Sequence, residues 1–155
     1  MAKINLAITG CLGRMGRQLI KTAVKDRSVK IVSLTENTFL NKKISGIYLE
    51  KNSEKAFHNA HVIIDFTSPK CTFEVLKIAS KLKKKVVIGT TGFSKTEENH
   101  IKKFSKKISI LKAGNMSLGI NLLMFLTEIT SKTLGVNYLS KVFDCLLYTS
   151  DAADD

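Results

Sequence analysis

Short, continuous apolar runs that alternate with helical stretches constrain this chain more than any other feature. Lys3 to Thr9 reads as a buried strand ending at Gly10, and Met15 to Asp26 as a helix with Leu19, Ile20 and Ala23 on one face. Val29 to Leu34 is a second strand, closing at Thr35-Glu36-Asn37, and residues 38–52 read as a loop because their periodicity is weak. Val62 to Phe66, Val86 to Gly89 and Ile108 to Leu111 supply three more strands. Between them lie a helix from about Lys70 to Leu82, behind the breaker Ser68-Pro69, and one running from Ser94 to about Lys106. Ser94-Lys95-Thr96-Glu97 has capping-box spacing. Apolar strands that need both faces covered, each followed by a helix, predict an α/β fold with a doubly wound parallel sheet. After Asn115 the pattern changes to one long apolar helix, Leu118 to Leu134, with Gly135 as its C-cap, as expected of a chain crossing into a second domain.

Composition narrows the function classes. Hydrophobic residues at 44% and charged residues at 25% exclude collagen, a disordered tail and a bare coiled coil. The longest apolar stretch, Met116 to Thr130, is broken by Ser117, Gly119, Asn121, Thr127 and Glu128, short of the roughly 18–20 residues of a membrane span. No signal-peptide pattern opens the chain, so no membrane partner and a cytoplasmic location are expected. A net charge of +12 raises the question of nucleic acid. Only three of the 25 basic residues are Arg, however, the lysines are scattered, and there is no Trp to stack a base. The charge therefore reads as a lysine-rich solvated surface, with no specific nucleic-acid partner. Cys11, Cys71 and Cys145 are dispersed and odd in number, and the His58-x-x-His61 pair has no third ligand nearby, so neither a disulfide framework nor a metal site is expected.

The chemistry concentrates at strand ends. Gly10-Cys11-Leu12-Gly13-Arg14-Met15-Gly16 turns from the first strand into the first helix, where glycines allow a tight turn and free N–H groups at the helix start attract phosphate. Leu12 stands where the common dinucleotide fingerprint has its second glycine. Glu36 lies about 20 residues beyond, at the end of the second strand, where a carboxylate accepts from the two ribose hydroxyls of an adenosine. Gly89-Thr90-Thr91-Gly92-Phe93 and Ala113-Gly114-Asn115-Met116-Ser117 follow the fourth and fifth strands, and ligands of open α/β sheets sit beyond such ends. Asp65, ending a buried strand, is expected to cap local backbone rather than to catalyse. Cys11, with no base beside it, is expected to be a small filler.

Four runs together, Ile8-Thr9-Gly10 through Gly13-Arg14-Met15-Gly16-Arg17-Gln18, Ile64-Asp65-Phe66-Thr67-Ser68-Pro69, Val87 through Phe93, and Asn115-Met116-Ser117-Leu118-Gly119-Ile120-Asn121, resemble the 4-hydroxy-tetrahydrodipicolinate (dihydrodipicolinate) reductases of bacterial lysine biosynthesis. The resemblance spans about residues 4–143. It implies a Rossmann-like nucleotide domain joined to an α+β substrate domain that also builds a homotetramer, NADH or NADPH as cofactor, and a cyclic dicarboxylate as substrate. It places the cofactor loop on Gly10, Cys11, Leu12, Gly13, Arg14 and Met15, with Gly16 a packing glycine, and the ribose acid on Glu36. It places the nicotinamide-end contacts on Gly89, Thr90, Thr91, Ala113, Gly114, Asn115 and Met116. Some members carry Arg just after the ribose acid to bind a 2′-phosphate, and here Asn37 holds that place. NADH is therefore expected to be used at least as well as NADPH, unless Lys42 or Lys43 swings in.

The chain departs from the family after Phe143. No His follows His100, and the family's His-His…Lys segment, which carries the proton donor and a substrate lysine, has no counterpart, so no catalytic residue is assigned. Residues 144–155 hold four Asp and no Lys or Arg, and resemble translated adapter or vector read-through. The expected organisation is a dinucleotide-binding domain over 1–116 lacking its last helix, the start of a substrate domain over 117–143, and a non-native tail over 144–155. A fragment of this kind is expected to keep much of the nucleotide site and to lack turnover. The alternative is a stand-alone nucleotide-binding or redox-sensing module without catalysis.

Overall fold

The computed structural model of the protein describes residues 2–38 and 42–139. Two compact units divide the chain, Met1–Gly114 and Asn115–Asp155. In the first, seven strands form one sheet: β1 (Ile4–Thr9), β2 (Val29–Thr35), β3 (Lys43–Ile44), β4 (Ile47–Glu50), β5 (Val62–Asp65), β6 (Lys85–Ile88) and β7 (Ile110–Lys112). Their order is β3-β4-β2-β1-β5-β6-β7. Every pairing is parallel except that of β3 with β4. The winding reverses at β1, which lies between β2 and β5, and a crevice opens at such a switch point.

Helices α1 (Arg14–Lys25), α2 (Glu54–Phe57), α3 (Pro69–Leu82) and α4 (Lys95–Ser105) complete this unit. Two apolar clusters hold it together. Ile8, Ile20, Leu34 and Leu49 pack around Cys11. Ala7, Phe57, Ile63, Val75, Leu76, Val86 and Ile88 form the larger cluster, joined by Ile101 of α4. Successive residues of β1, Ala7 and Ile8, enter different clusters, as the two-residue period of a strand requires. Phe73 of α3 meets Phe93 edge-on, with ring centroids 6.3 Å apart, and also packs on Phe104 of α4.

Local signals set the helix ends. Ser94 Oγ accepts from the Glu97 N–H while the Glu97 carboxylate accepts from the Ser94 N–H, completing the capping box anticipated from the spacing. Ser68 caps α3 ahead of Pro69, and Lys83 ends it in the left-handed region at φ 55°. The loop expected over 38–52 is not wholly irregular. Ser45 and Gly46, both at positive φ (50° and 81°), turn β3 into β4, and β4 then pairs with β2 through Leu34↔Leu49 and Thr35↔Glu50. Strands of two and four residues are too short to register as a period, and the pairing with β2 is what makes them strands. The one-turn helix α2, for which the sequence carried no prediction, starts from a Ser53 cap and buries Ala56 and Phe57.

The second unit holds α5 (Leu118–Leu134), ended by Gly135 as C-cap as the sequence predicts, and Ser117 is its N-cap. No residue of α5 is buried, and Leu118 is 85% exposed. Among the described residues no helix is long and apolar enough to cross a membrane. Of the strand expected to begin at Tyr138, all from residue 140 onward lies outside the described residues, as do residues 144–155.

Candidate functional site

Gly10 leaves β1 at φ +67°, and its N–H donates to the Thr35 carbonyl at 3.0 Å, tying the exit of β1 to that of β2. A Cβ at Gly10 would sit 2.7 Å from the Phe66 carbonyl oxygen, so both the close approach and the backbone conformation demand glycine. Gly13 is the N-cap of α1 and offers no side chain to its first N–H groups, and no acidic residue stands in the first turn. That helix end is left polarised positive, suited to an anion. Gly16 is buried, and a Cβ there would lie 2.2 Å from the Gly10 carbonyl oxygen. Its lack of a side chain lets α1 rest directly on the turn.

Glu36 follows β2 and turns back toward this loop. Its Oε2 accepts from the Leu12 N–H at 3.3 Å and its Oε1 from the Asn37 N–H at 3.0 Å. A carboxylate is thereby held at the edge of the helix N-terminus with acceptor capacity to spare. Gly10, Gly13 and Glu36 line one crevice of about 250 Å³, opposite Phe66, Thr67 and Ser68 at the exit of β5. Thr35 and Asn52 also line it, and each buries one polar atom, Oγ1 and Oδ1, without a hydrogen-bond partner. An open helix end beside a carboxylate fits a ligand that carries both phosphate and hydroxyls.

The other predicted residues fall elsewhere. Cys11 points into the smaller core cluster, fully buried. Burial, with the Glu36 charge adding to it, pushes its thiol up to about 11, which suits a filler and not a nucleophile. Leu12 contributes its N–H to Glu36; Arg14 is exposed and Met15 half-buried at the start of α1. Gly89 packs under Phe66, where a Cβ would come within 2.1 Å of the ring. Thr90 is buried and Thr91 exposed. The Ala113 N–H donates to the Ile88 carbonyl and Gly114 is exposed. Asn115 and Met116 belong to the second unit, where Asn115 Oδ1 accepts from the Ser117 N–H at 2.7 Å. None of these lines the crevice.

Asp65 corrects an expectation. Rather than capping backbone, its carboxylate is fully buried and accepts from the hydroxyls of Thr9, Thr67, Thr72 and Thr90. Its neighbours are threonines because four segments end above it, which the local sequence does not reveal. Sequence reasoning also missed Thr35, Asn52, Ser68 and Cys71 as crevice residues. The Ser68-Pro69 cap was a usable signal for one of them; Asn52 had none, since it reaches the crevice only because β4 joins β2. Lys43 is held over the Tyr48 ring at 4.3 Å, and His61 Nδ1 accepts from the Asn5 N–H at 3.0 Å. Among the described residues no group of three or more His, Cys, Asp or Glu could hold a metal ion.

A family model described as dihydrodipicolinate reductase, N-terminus, matches residues 4–116. A 4-hydroxy-tetrahydrodipicolinate reductase of Pelagibacter ubique is 66% identical over 144 residues, covering 93% of this chain and 56% of the relative. One of Buchnera aphidicola is 39% identical over 144 residues, covering 86% of this chain and 54% of the relative. The chain thus spans about half the length of the curated relatives it matches. Among solved structures, dipicolinate-bound dihydrodipicolinate reductase from Paenisporosarcina sp. TG-14 superposes with a TM-score of 0.72 at 21% identity, over 83% of this chain and 54% of that one. Homoserine dehydrogenase of S. aureus reaches 0.61 at 17% identity, over 72% of this chain and 32% of that one. At those identities the likeness is one of fold, and it matches the doubly wound sheet found here. By the family match over residues 4–116, the chain belongs to the dihydrodipicolinate reductase family.

Proposed function

We propose that the crevice holds the adenosine diphosphate half of NADH or NADPH, and that the chain supplies the nucleotide-holding share of an enzyme that reduces 4-hydroxy-tetrahydrodipicolinate, a cyclic dicarboxylate, to tetrahydrodipicolinate in lysine and diaminopimelate biosynthesis. The whole protein is proposed to be a cytoplasmic homotetramer, following the family. One observation carries the nucleotide assignment: an uncapped, glycine-entered helix N-terminus and the Glu36 carboxylate meet at one crevice, joined through the Leu12 N–H. N–H donors toward phosphate and an acceptor toward ribose hydroxyls are the two needs of an adenosine diphosphate.

When bound, the reduced nicotinamide supplies a hydride. The chain's own residues bind and orient. The Gly10–Met15 turn cradles phosphate, Glu36 takes the ribose hydroxyls, and Gly89, Thr90 and Thr91 flank the far end of the cofactor. Preference between the two cofactors follows from charge. A 2′-phosphate beside Glu36 meets a like charge, Asn37 is neutral, and Lys43 lies over the Tyr48 ring. A 2′-phosphate carries about −1.5 to −2 charges. Repulsion at about 4 Å in high dielectric costs roughly 1.5–2 kcal/mol, or about tenfold or somewhat more in affinity. Calorimetric titration of NADH and NADPH into the chain and into Glu36→Gln tests this. NADH binding at least as tightly as NADPH, with the ratio moving about tenfold toward NADPH in the variant, is expected. A clear NADPH preference in the unaltered chain refutes the charge argument, and no binding of either refutes the nucleotide assignment.

A further inference from the structure

We propose that Asp65 is a positioning residue that locks the exits of β1, β5 and β6 and the start of α3 into one rigid floor for the second half of the dinucleotide. This rests on the nucleotide reading above. Oδ1 accepts from Thr9 Oγ1 at 2.6 Å and from Thr67 Oγ1 at 2.7 Å; Oδ2 accepts from Thr72 Oγ1 at 2.5 Å and from Thr90 Oγ1 at 3.2 Å. Those four threonines come from β1, the turn after β5, the first turn of α3 and the residue pair after β6. The carboxylate is the nearer acceptor for Thr9, Thr72 and Thr90, whose hydroxyls also face the Ile64, Ser68 and Asp65 carbonyls at 3.3, 3.1 and 3.5 Å, so it draws their protons and orients their remaining lone pairs. Thr90 shows the consequence: Oγ1 donates to Asp65 and accepts from the Thr67 N–H at 2.8 Å, so the turn after β6 is pinned to the turn after β5.

Burying a carboxylate is costly even when it is satisfied, and an apolar residue would join the same strands at less cost. What an apolar residue lacks is the ability to orient four hydroxyls at once. The strand order says what is gained. Glu36 lies beyond β2 and the α1 N-terminus beyond β1, so a ligand extending from that helix end away from Glu36 passes over the exits of β5 and β6. Those exits are the ones that Asp65 ties together.

The test compares NADH with ADP, which meets the floor tied by Asp65 only along the β5-exit wall of the crevice, at Thr67, and is otherwise held on the Glu36 and α1 side. In Asp65→Asn one oxygen becomes an N–H donor, so two of the four hydroxyls, either Thr9 and Thr67 or Thr72 and Thr90, must reverse. The expected result is a fall in NADH affinity of about tenfold with ADP affinity held within about twofold, read by titration calorimetry. Thr72→Val removes one of the two protons from Oδ2 without touching the crevice, and serves if Asp65→Asn does not fold. It should move the NADH:ADP ratio about threefold in the same direction. Equal losses for both ligands reduce Asp65 to a purely structural role and overturn the proposal, as does an unchanged ratio in a folded variant. If the unaltered chain binds neither ligand, the nucleotide reading fails and this proposal fails with it.

Discussion

Gly16 offers the sharpest test of how the crevice is built. Replacing it with Ala would normally help a helix, because Ala is favoured over Gly in a helix interior by about 0.8–1 kcal/mol. Here the added Cβ would sit 2.2 Å from the Gly10 oxygen, 2.7 Å from the Cys11 Cα and 2.9 Å from the Gly10 carbonyl carbon. All three are backbone atoms, so no rotamer change relieves the overlap. The first turn of α1 must retreat by roughly 1 Å, or the Gly10–Gly13 turn must open by as much. Overpacking of this kind costs about 1–3 kcal/mol, and the larger values apply where the neighbours cannot move. Net of the propensity gain, Gly16→Ala should destabilise the first unit by about 1–2 kcal/mol. That corresponds to a fall in melting temperature of about 2–8 °C for a chain of this size, measurable by circular dichroism. NADH affinity should fall in parallel, because the same retreat moves the helix end away from the phosphate position. A variant with unchanged or raised melting temperature and unaltered affinity would refute the reasoning, since α1 would then not rest on the turn as described.

Two further outcomes follow from contacts near the site. Gly89→Ala would place a Cβ 2.1 Å from the Phe66 ring, so the half-buried ring must shift, and Phe66 is one of the residues that line the crevice. The expected result is at least a tenfold loss of nucleotide affinity with a modest loss of stability, and wild-type affinity in titration would contradict it. Ser94→Ala removes the α4 cap and should cost about 1 kcal/mol in urea denaturation. The same cap is pH-dependent: the Ser94 backbone N–H and hydroxyl hold the Glu97 carboxyl below its ordinary range. Its contribution is therefore whole above the ordinary carboxylate pKa and is lost as pH falls through the depressed one. Hydrogen exchange at the first turn of α4 should quicken across that acid window in the unaltered chain, and Ser94→Ala should weaken the pH dependence without abolishing it, because the Ser94 backbone N–H still donates to Glu97.

The alternation of apolar runs with helices was enough to predict the doubly wound parallel sheet, because a strand buried on both faces must be apolar at every position and its crossover helix must follow in sequence. The Ser94–Glu97 cap, the Gly10–Gly16 turn and both ends of α5 were legible for the same reason: each is a contact among residues within one or two turns of one another. The site was legible only in its anchors. Gly10, Gly13 and Glu36 announced themselves by position after strands, but the bond from Leu12 to Glu36 spans 24 residues, and the one from Thr9 to Asp65 spans 56. Such contacts depend on which strand lies beside which, and that order is chosen by packing across the whole sheet. Gly89 shows the limit most clearly. The sequence marks it as a strand-end glycine, and the fold adds a reason the sequence does not carry: the Phe66 ring occupies the place its side chain would take. Asp65 shows it from the other side, since a lone acid at a strand end becomes the meeting point of four threonines only once β1, β5, α3 and β6 converge. Local covalent order and hydrophobic period determined the elements; the tertiary structure decided which of their ends meet, and so which side chains form the site.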